Sequence, residues 1–328
     1  MKVVMHREYG PPEVLQIIEL EKPAPDENQA LVRACAFSLN PAEAHLRRGI
    51  LLARFSSGLL RPKVPVLGAD FAGRVEAVGR NVTRFKPGDE VFGRKEPGGF
   101  AGYICASEKS LAPKPAGLNF EEAAAVPTAG LSALQSLRDA GRVQPGQRVL
   151  INGAAGGLGT FAVQIAQALG AEVTGVTSTR NLELVRSLGA ARVIDYTRQD
   201  FARQGERYDL IIDNVGNRSL SDLSRALQPA GVCVITGFSS PGLLFQHLLL
   251  GPLLSRSSGK RIGMMLSQIR QEDLLTLGAL AEAGQLKPYI DRTYPLNEVR
   301  EAYRYLETRR ARGKIVVTPG PPAPEPVV

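Results

Sequence analysis

A glycine-rich segment in the middle of the chain has residue types and spacing that suit phosphate binding. It spans residues 152–159, between a β-branched run and an apolar helical pattern, and from Ala154 it reads A-x-G-x-x-G. In this spacing Gly156 lets the backbone approach a pyrophosphate, and Gly159 lets the helix pack closely on the strand. The helix N-terminus offers N–H groups to the phosphates. Because strand, loop, helix and second strand follow in order, the segment predicts a dinucleotide site. Its predicted contacts are Ala155, Gly156, Gly157 and Leu158.

The next predicted strand is 172–177, and the residues that follow it distinguish between NAD and NADP as the cofactor. Domains that bind NAD usually carry Asp or Glu here to hold the ribose hydroxyls. This chain continues with Ser178-Thr179-Arg180, and hydroxyls and a guanidinium bind a 2′-phosphate that an acid would repel. The sequence therefore predicts NADPH. An N-cap role of Ser178 on the following helix is compatible with this contact. The predicted contacts are Thr177, Ser178, Arg180 and the hydroxyl of Tyr196.

The elements that must position these residues fall into two groups. The first third of the chain has short apolar or alternating runs separated by turn signals, which predict a β-rich unit. In the middle, β-branched runs alternate with helical patterns, which predicts βαβ units and a parallel sheet. A helix at 272–283 and strands at 287–294 and 314–317 follow.

This pattern predicts a nucleotide domain inserted into a β-rich domain. Residues 1–121 and 269–318 would form the β-rich domain, and residues 122–268 the α/β domain with a doubly wound parallel sheet. The Pro-rich segment 319–328 is expected to be a disordered tail.

Cysteine usage and hydropathy narrow the class of protein. The three cysteines are odd in number and form no C-x-x-C pair, which argues against a disulfide framework and a structural zinc site. The most apolar run, 242–254, is interrupted by polar residues, Gly and Pro, so no membrane span is predicted. We expect a soluble cytoplasmic protein.

The charge balance favours an anionic small molecule as ligand. Lys and Arg outnumber Asp and Glu by 40 to 32, giving a net charge of +8. The densest basic cluster is Arg309, Arg310, Arg312 and Lys314. No aromatic residues that would stack on bases are interleaved there, so polynucleotide binding is not favoured.

Five segments, in one order, resemble the medium-chain dehydrogenase/reductase superfamily up to about Thr318. They are residues 40–43, 66–73, 85–93, 122–127 and the glycine loop. Within the superfamily, residues 178–181, 194–196, 213–216 and 311–314 resemble the quinone oxidoreductase branch. The resemblance implies a GroES-like catalytic domain and an inserted Rossmann domain.

The resemblance also indicates that no metal is bound. Zinc-containing alcohol dehydrogenases of the superfamily hold their catalytic zinc at positions that fall here on Asn40 and on Ala69-Asp70. Asn and Ala supply neither a thiolate nor an imidazole ligand. We therefore expect zinc-free chemistry.

Further site residues are implied by the resemblance alone. Asn40 is implied as a polar, catalytic contact near the nicotinamide, although Asn40-Pro41-Ala42-Glu43 also reads as a helix capping box with Pro at N1. The other implied cofactor contacts are Thr128, Asn214, Val215, Phe238, Gly263, Met265, Arg310, Ala311 and Arg312.

The predicted activity is NADPH-dependent hydride transfer to a quinone or an α,β-unsaturated carbonyl. Conjugation spreads the developing charge, so such acceptors suit a site without a metal. Two other interpretations stay open. One is an enoyl-thioester reductase or a zinc-free alcohol dehydrogenase of the same fold; the other is an NADPH-binding interaction protein, for example RNA-binding, with little turnover. The resemblance also implies a homodimer that pairs edge strands of its nucleotide domains.

Overall fold

The computed structural model describes residues 1–50, 54, 57–63, 65–95 and 98–320, except for the side chains of 252–258. Of the predicted disordered tail, residues 321–328 lie outside the described residues.

Strands and helices are numbered in chain order through the described residues. The strands are β1 Lys2–Met5, β2 Gln16–Glu19, β3 Gln29–Ser38, β4 Asp70–Val78, β5 Glu90–Arg94, β6 Tyr103–Ser107, β7 Leu111–Pro113, β8 Arg148–Asn152, β9 Glu172–Thr177, β10 Arg192–Asp195, β11 Tyr208–Asp213, β12 Leu227–Ile235, β13 Arg261–Met264, β14 Ile290–Pro295 and β15 Lys314–Thr318. The helices are α1 Pro41–Arg48, α2 Phe120–Ala125, α3 Pro127–Gln135, α4 Gly157–Ala168, α5 Leu182–Ser187, α6 Leu220–Ala226, α7 Pro241–Ser258, α8 Gln271–Glu282 and α9 Val299–Glu307.

The chain divides into two compact units. The first comprises Met1–Thr128, Ile269–Ala283 and Pro288–Val328, and the second comprises Ala129–Gln268 and Gly284–Lys287. The second unit therefore interrupts the first in sequence, as an inserted domain does.

The second unit is built on a six-stranded parallel sheet with the order β10-β9-β8-β11-β12-β13. Numbered from β8, this is the 3-2-1-4-5-6 order of the Rossmann fold. The predicted nucleotide fold is thus confirmed. Residues such as Leu150, Ile211 and Cys233 are fully buried in its core, because strands covered on both faces are apolar throughout.

Close approach of α4 to β8 depends on Gly159. A Cβ atom at this position would lie 2.1 Å from the carbonyl oxygen of Gly153. No side chain can stand there, so the third glycine of the motif sets the helix against its strand.

The first unit contains a seven-stranded sheet whose centre is β3. The order is β14-β15-β3-β4-β5-β7, and β6 also pairs with β3. All neighbours are antiparallel except β14 and β15. The core includes Phe37, Phe71 and Phe100. This is the GroES-like unit that the resemblance implied.

Two glutamine side chains in the second unit hold backbone segments. Gln135 donates to the carbonyl of Gln268 and accepts from its N–H, both at 2.9 Å. Gln164 makes the same pair with Lys287, at 3.0 and 2.8 Å. Since Lys287 is held in this way and Pro288 has no N–H, the strand predicted at 287–294 begins only at Ile290.

The apolar run 242–254 lies within helix α7. Among the described residues, no helix is both long and apolar enough to cross a membrane.

Candidate active site

The predicted cofactor contacts of the second unit gather at one edge of its sheet. The glycine loop follows β8, Ser178 follows β9 and Tyr196 follows β10. Asn214 follows β11, and Met265 follows β13. Parallel strands end at the same edge, so the structure brings residues from five loops together there. Ligands of open α/β sheets bind at this carboxyl edge.

The glycine loop forms the start of α4 with room for a ligand. Gly156 is the N-cap, with extended backbone angles of φ −81° and ψ 175°. An added Cβ would meet only the carbonyl oxygen of Gly153, at 3.4 Å. The open space and the first N–H groups of the helix fit a pyrophosphate.

A buried polar cluster fixes the turn after β11. Asp213 Oδ1 accepts from Asn152 Nδ2 at 2.8 Å and from the backbone N–H groups of Val215 and Gly216 at 3.1 and 3.0 Å. This turn packs on the glycine loop, since a Cβ at Gly153 would lie 2.9 Å from the Val215 side chain.

Two buried atoms in the same turn lack a partner among the described residues. They are Asp213 Oδ2 and Asn214 Nδ2. Leaving such atoms unpaired costs about 1–3 kcal/mol each. Ribose hydroxyls both donate and accept, so a dinucleotide at this edge fits the two atoms.

The ends of β9 and β10 lie side by side. Asp195 pairs with Thr177, and the N–H of Tyr196 donates to the carbonyl of Thr177 at 2.9 Å. This register places Tyr196, which is 57% exposed, beside Ser178. Arg180 is exposed on the adjoining turn.

One carboxylate also lies at this corner of the sheet. Asp195 Oδ2 accepts from Thr179 Oγ1 at 2.6 Å, and Oδ1 accepts from the N–H and hydroxyl of Thr197 at 3.0 and 2.7 Å. The hydrogen bond from Thr179, followed by those from Thr197, lowers the pKa of Asp195. Both carboxylate oxygens of Asp195 therefore stabilise the turn through these hydrogen bonds.

The remaining predicted contacts of this unit follow the last two strands. Phe238 is half-buried after β12, and Gly263 is exposed within the edge strand β13. Met265 is half-buried, and its N–H donates to the carbonyl of Ile235 at 3.0 Å.

In the first unit, Asp70 is the centre of a second polar cluster. Its Oδ1 accepts from the N–H and hydroxyl of Thr128 at 3.0 and 2.5 Å. Its Oδ2 accepts from Ser38 Oγ at 3.2 Å, Asn40 Nδ2 at 3.0 Å and Lys314 Nζ at 3.4 Å. Thus β4, where Asp70 lies, is joined to three other segments through one carboxylate.

The Asn40 side chain is hydrogen-bonded to three other side chains. Its Oδ1 accepts from Lys314 Nζ at 2.7 Å, and its Nδ2 donates to Glu43 Oε1 at 3.2 Å as well as to Asp70. The Glu43 carboxylate also accepts from the N–H of Asn40 at 3.2 Å, as in a capping box. Both amide hydrogens of Asn40 are therefore used within the protein, and its role near the nicotinamide stays a prediction.

Glu43 is buried between Asn40 and Tyr303. The Tyr303 hydroxyl donates to Glu43 Oε2 at 3.1 Å. Burial, and then the charge of Asp70, raise the pKa of Glu43 to about 8.

The predicted contacts Arg310, Ala311 and Arg312 form the loop between α9 and β15. Arg310 is exposed, and Ala311 packs against the core of the first unit. The N–H of Arg312 donates to Asp291 Oδ2 at 2.9 Å. This loop leads directly into Lys314.

In the sequence, Lys314 belongs to the basic cluster with Arg309, Arg310 and Arg312, and no role at the site was predicted for it. In the structure Lys314 is only 2% exposed. The sequence feature that could have indicated its burial is its position directly before the apolar run Ile315-Val316-Val317.

Metal-ligand geometry does not occur at these positions. Asn40 and Asp70 share Lys314 as their partner. Across the part of the chain that the structure describes, no group of three or more His, Cys, Asp or Glu side chains could hold a metal ion. Absence of zinc stays a prediction.

Comparison with known proteins identifies the family. Residues 26–116 match the alcohol dehydrogenase GroES-like domain, and residues 188–317 match a family described as zinc-binding dehydrogenase. The chain is 33% identical to the NADPH-dependent alkenal/one oxidoreductase of Arabidopsis thaliana, over 98% of this chain and 80% of that protein. It is 31% identical to the quinone oxidoreductase of Homo sapiens, over 97% of each. The chain belongs to the medium-chain dehydrogenase/reductase superfamily.

Within this superfamily the chain falls in the quinone oxidoreductase branch. A solved structure of Escherichia coli quinone oxidoreductase in complex with NADPH superposes with a TM-score of 0.83. It is 26% identical in sequence, and the match covers 97% of this chain and all of that one (100%).

Proposed function

We propose that this protein is an NADPH-dependent reductase that transfers hydride to a quinone or an α,β-unsaturated carbonyl without zinc. The observation that carries the proposal is the carboxyl edge of the second unit's sheet, where the glycine loop lies beside the Ser178–Arg180 turn. The names of the relatives support the acceptor class, since they describe alkenal/one and quinone oxidoreductases.

Each part of the cofactor has residues suited to hold it. Gly156 and the N–H groups of α4 receive the pyrophosphate. Ser178, Arg180 and the Tyr196 hydroxyl receive the 2′-phosphate. Asn214 Nδ2 and Asp213 Oδ2 have capacity for ribose hydroxyls.

Bound NADPH supplies the hydride, and the chain's own residues hold and orient the reactants. A conjugated acceptor delocalises the negative charge that develops on its oxygen, so it needs fewer strong donors than an unconjugated ketone. We therefore expect the protein to prefer conjugated acceptors to unconjugated ketones.

The test compares two acceptors that differ only in conjugation. Purified protein, treated with a chelator and without added metal, is assayed for NADPH oxidation with 3-buten-2-one and with 2-butanone. We expect turnover with the enone, and with 1,4-benzoquinone, but not with the saturated ketone. NADPH binding without reduction of any conjugated acceptor, together with oxidation of a simple primary alcohol, would contradict the proposal.

We also propose that the protein is a cytoplasmic homodimer. The edge strand β13 is the last in its sheet, and α7 exposes Phe245, Leu248, Leu249 and Leu250. Such an edge and apolar face suit pairing with a second copy. The three cysteines are free thiols, which suits a reducing compartment. A monomer mass by light scattering at micromolar concentration would contradict the dimer, and a fluorescent fusion tests the location.

A further inference from the structure

A buried histidine joins helix α7 to the turn that follows β11. His247 is only 3% exposed, although its neighbours Phe245 and Leu248 are exposed. Its Nε2 lies 3.0 Å from the carbonyl oxygen of Arg218. A carbonyl oxygen only accepts hydrogen bonds, so Nε2 carries a hydrogen and donates it. This bond holds α7 to residues 214–219, which we call the β11 turn.

The same turn is also held at the carboxyl edge of the sheet. Asn152, which ends β8 and precedes the glycine loop, donates from Nδ2 to Asn217 Oδ1 at 3.1 Å. Thr236 Oγ1 donates to Asn214 Oδ1 at 2.9 Å, which fixes the orientation of this amide and keeps Nδ2 as its donor. The β11 turn thus lies between the glycine loop and α7, within the second unit.

Arg218 is held through its side chain as well as its backbone. Its Nη1 donates to Asp200 Oδ2 at 3.0 Å, and its guanidinium carbon lies 5.1 Å from the centroid of the Phe201 ring. The segment from Asp213 to Arg218 is therefore fixed at both ends and contains few residues. A short segment with fixed ends has little conformational freedom, so the position of the Arg218 carbonyl influences that of Asn214.

Few other hydrogen bonds are present that could replace the one from His247. Ten buried side-chain atoms lack a partner among the described residues, and five of them belong to Asp213, the β11 turn and α7. They are Asp213 Oδ2, Asn214 Nδ2, Arg218 Nε, Gln246 Oε1 and His247 Nδ1. Buried polar groups are rarely left unpaired. Loss of the His247 bond would therefore leave the turn with little compensation nearby.

We propose that His247 is a positioning residue for NADPH: by holding the Arg218 carbonyl it orients Asp213 and Asn214 toward the hydroxyls of a ribose. It acts through the β11 turn and needs no contact with the cofactor. The proposal rests on the NADPH-dependent function proposed above.

The order of the strands indicates which part of the cofactor depends on His247. Neighbouring strands, about 4.8 Å apart, follow the order β10-β9-β8-β11. In the proposed function the 2′-phosphate lies at the ends of β10 and β9, the pyrophosphate at β8 and the ribose hydroxyls at β11. The ribose at β11 is therefore the one beyond the pyrophosphate. The fragment 2′,5′-ADP lacks that ribose and would end at the glycine loop.

The first experiment measures the affinities of NADPH and 2′,5′-ADP by calorimetric titration, which does not depend on turnover. His247→Leu removes both ring nitrogens and leaves an apolar side chain. We expect about three- to tenfold weaker NADPH binding, the range of one neutral hydrogen bond, with unchanged binding of 2′,5′-ADP.

Two results of this titration would overturn the inference and leave the proposed function intact. One is unchanged NADPH affinity in His247→Leu, and the other is an equal loss for both ligands. Failure of the wild type to bind NADPH would instead contradict the proposed function itself.

Two amide variants test whether the donor at position 247 is responsible. In His247→Gln the amide nitrogen lies about as far along the side chain as Nε2, so we expect it to bond to the Arg218 carbonyl and restore most of the NADPH affinity. In His247→Asn the side chain is too short, and we expect the same loss as in His247→Leu. Equal NADPH affinities of the Gln and Asn variants would overturn the inference.

Leu244→Ala is the control for a general loss of stability in α7. Leu244 is buried on the same helix, and its truncation leaves a cavity without removing the donor to Arg218. We expect a lower melting temperature and wild-type NADPH affinity. Selective loss of NADPH affinity in Leu244→Ala as large as in His247→Leu would overturn the assignment to His247. If His247→Leu does not fold, the Gln and Asn variants with the two ligands still decide.

Discussion

Lys314 and Asp70, which are 244 positions apart in sequence, form an ion pair in the interior of the first unit. Lys314 Nζ lies 3.4 Å from Asp70 Oδ2, and the two side chains are 3% and 0% exposed. Burial lowers the pKa of Lys314, and the carboxylates of Asp70 and Glu43 oppose that shift. Charges so far from water are tolerated only when they are paired and hydrogen-bonded.

We expect Lys314→Met to lower the free energy of unfolding by about 3–5 kcal/mol, because it leaves a buried carboxylate without its counter-charge. Arg80→Met is the matched control, since Arg80 pairs with Glu27 on the surface and such pairs contribute less than about 1 kcal/mol. Both variants are measured by denaturant unfolding. Equal, small losses would show that water reaches the Lys314 site.

The raised pKa of Glu43 predicts a pH dependence of stability. The folded state holds the proton up to about pH 8, whereas the unfolded chain releases it near the ordinary value of 4.5. The contribution of Glu43 to stability is therefore lost as pH rises through this window, by up to about 1.4 kcal/mol per pH unit. Glu43→Gln removes the dependence.

Unfolding free energies of the wild type and of Glu43→Gln are compared from pH 4 to pH 9 on the same protein preparations. We expect the wild type to lose stability relative to the variant as pH rises. A constant difference would mean that the three hydrogen bonds to Glu43 keep its carboxylate ionised in the folded protein.

Two glycines of the loop should respond differently to alanine. At Gly159 a Cβ would lie 2.1 Å from a backbone oxygen, so Gly159→Ala should lose about 1–3 kcal/mol of stability. At Gly156 the Cβ has room within the protein, but it would occupy the space of the phosphates. Gly156→Ala should therefore keep the melting temperature and weaken NADPH binding. A Gly156→Ala variant with normal NADPH affinity would place the pyrophosphate elsewhere.

Arg180→Ala should separate the two nicotinamide cofactors. A hydrogen bond to a charged group contributes about 1.5–3 kcal/mol, or about ten- to a hundredfold in affinity. We expect NADPH binding to weaken by that factor, with NADH binding nearly unchanged. Arg186→Ala, on the exposed side of α5 with Glu183 as partner, is the control. If Arg180→Ala weakens both cofactors equally, the arginine serves the fold and not the 2′-phosphate.

Local patterns made the second unit predictable. The glycine loop and each of the strands β8 to β12 can be recognised from a few adjacent residues. The Rossmann strand order confirmed the predicted nucleotide fold. Strand β13 was not predicted, because its four residues, Arg261–Met264, include a glycine and show no alternation.

The first unit's cluster depends on distant contacts. Asn40 was interpreted as a capping residue or a contact near the nicotinamide, and the sequence favoured neither. The structure shows the capping box with Glu43, and the same side chain also bonds to Asp70 and Lys314, which are 30 and 274 positions away. Hydrogen bonds between residues so far apart leave no periodic pattern in the sequence. Only the folded chain shows which hydrogens of Asn40 are already used.

The position of β15 in the sequence also determines when, during synthesis, the sheet of the first unit can be completed. It pairs with β3 through Val316 and Ser38, so the sheet of the first unit lacks this strand until residues 314–318 have been synthesised. The nucleotide unit takes its strands from residues 148–264 and has them all about fifty residues earlier. During that interval Asp70 lacks its lysine partner, and Phe37 and Ser38 of β3 lack the strand with which they pair. Unpaired strand residues of this kind favour aggregation. Chaperones that protect this nascent chain would act on its first-made part while a later part is already folded.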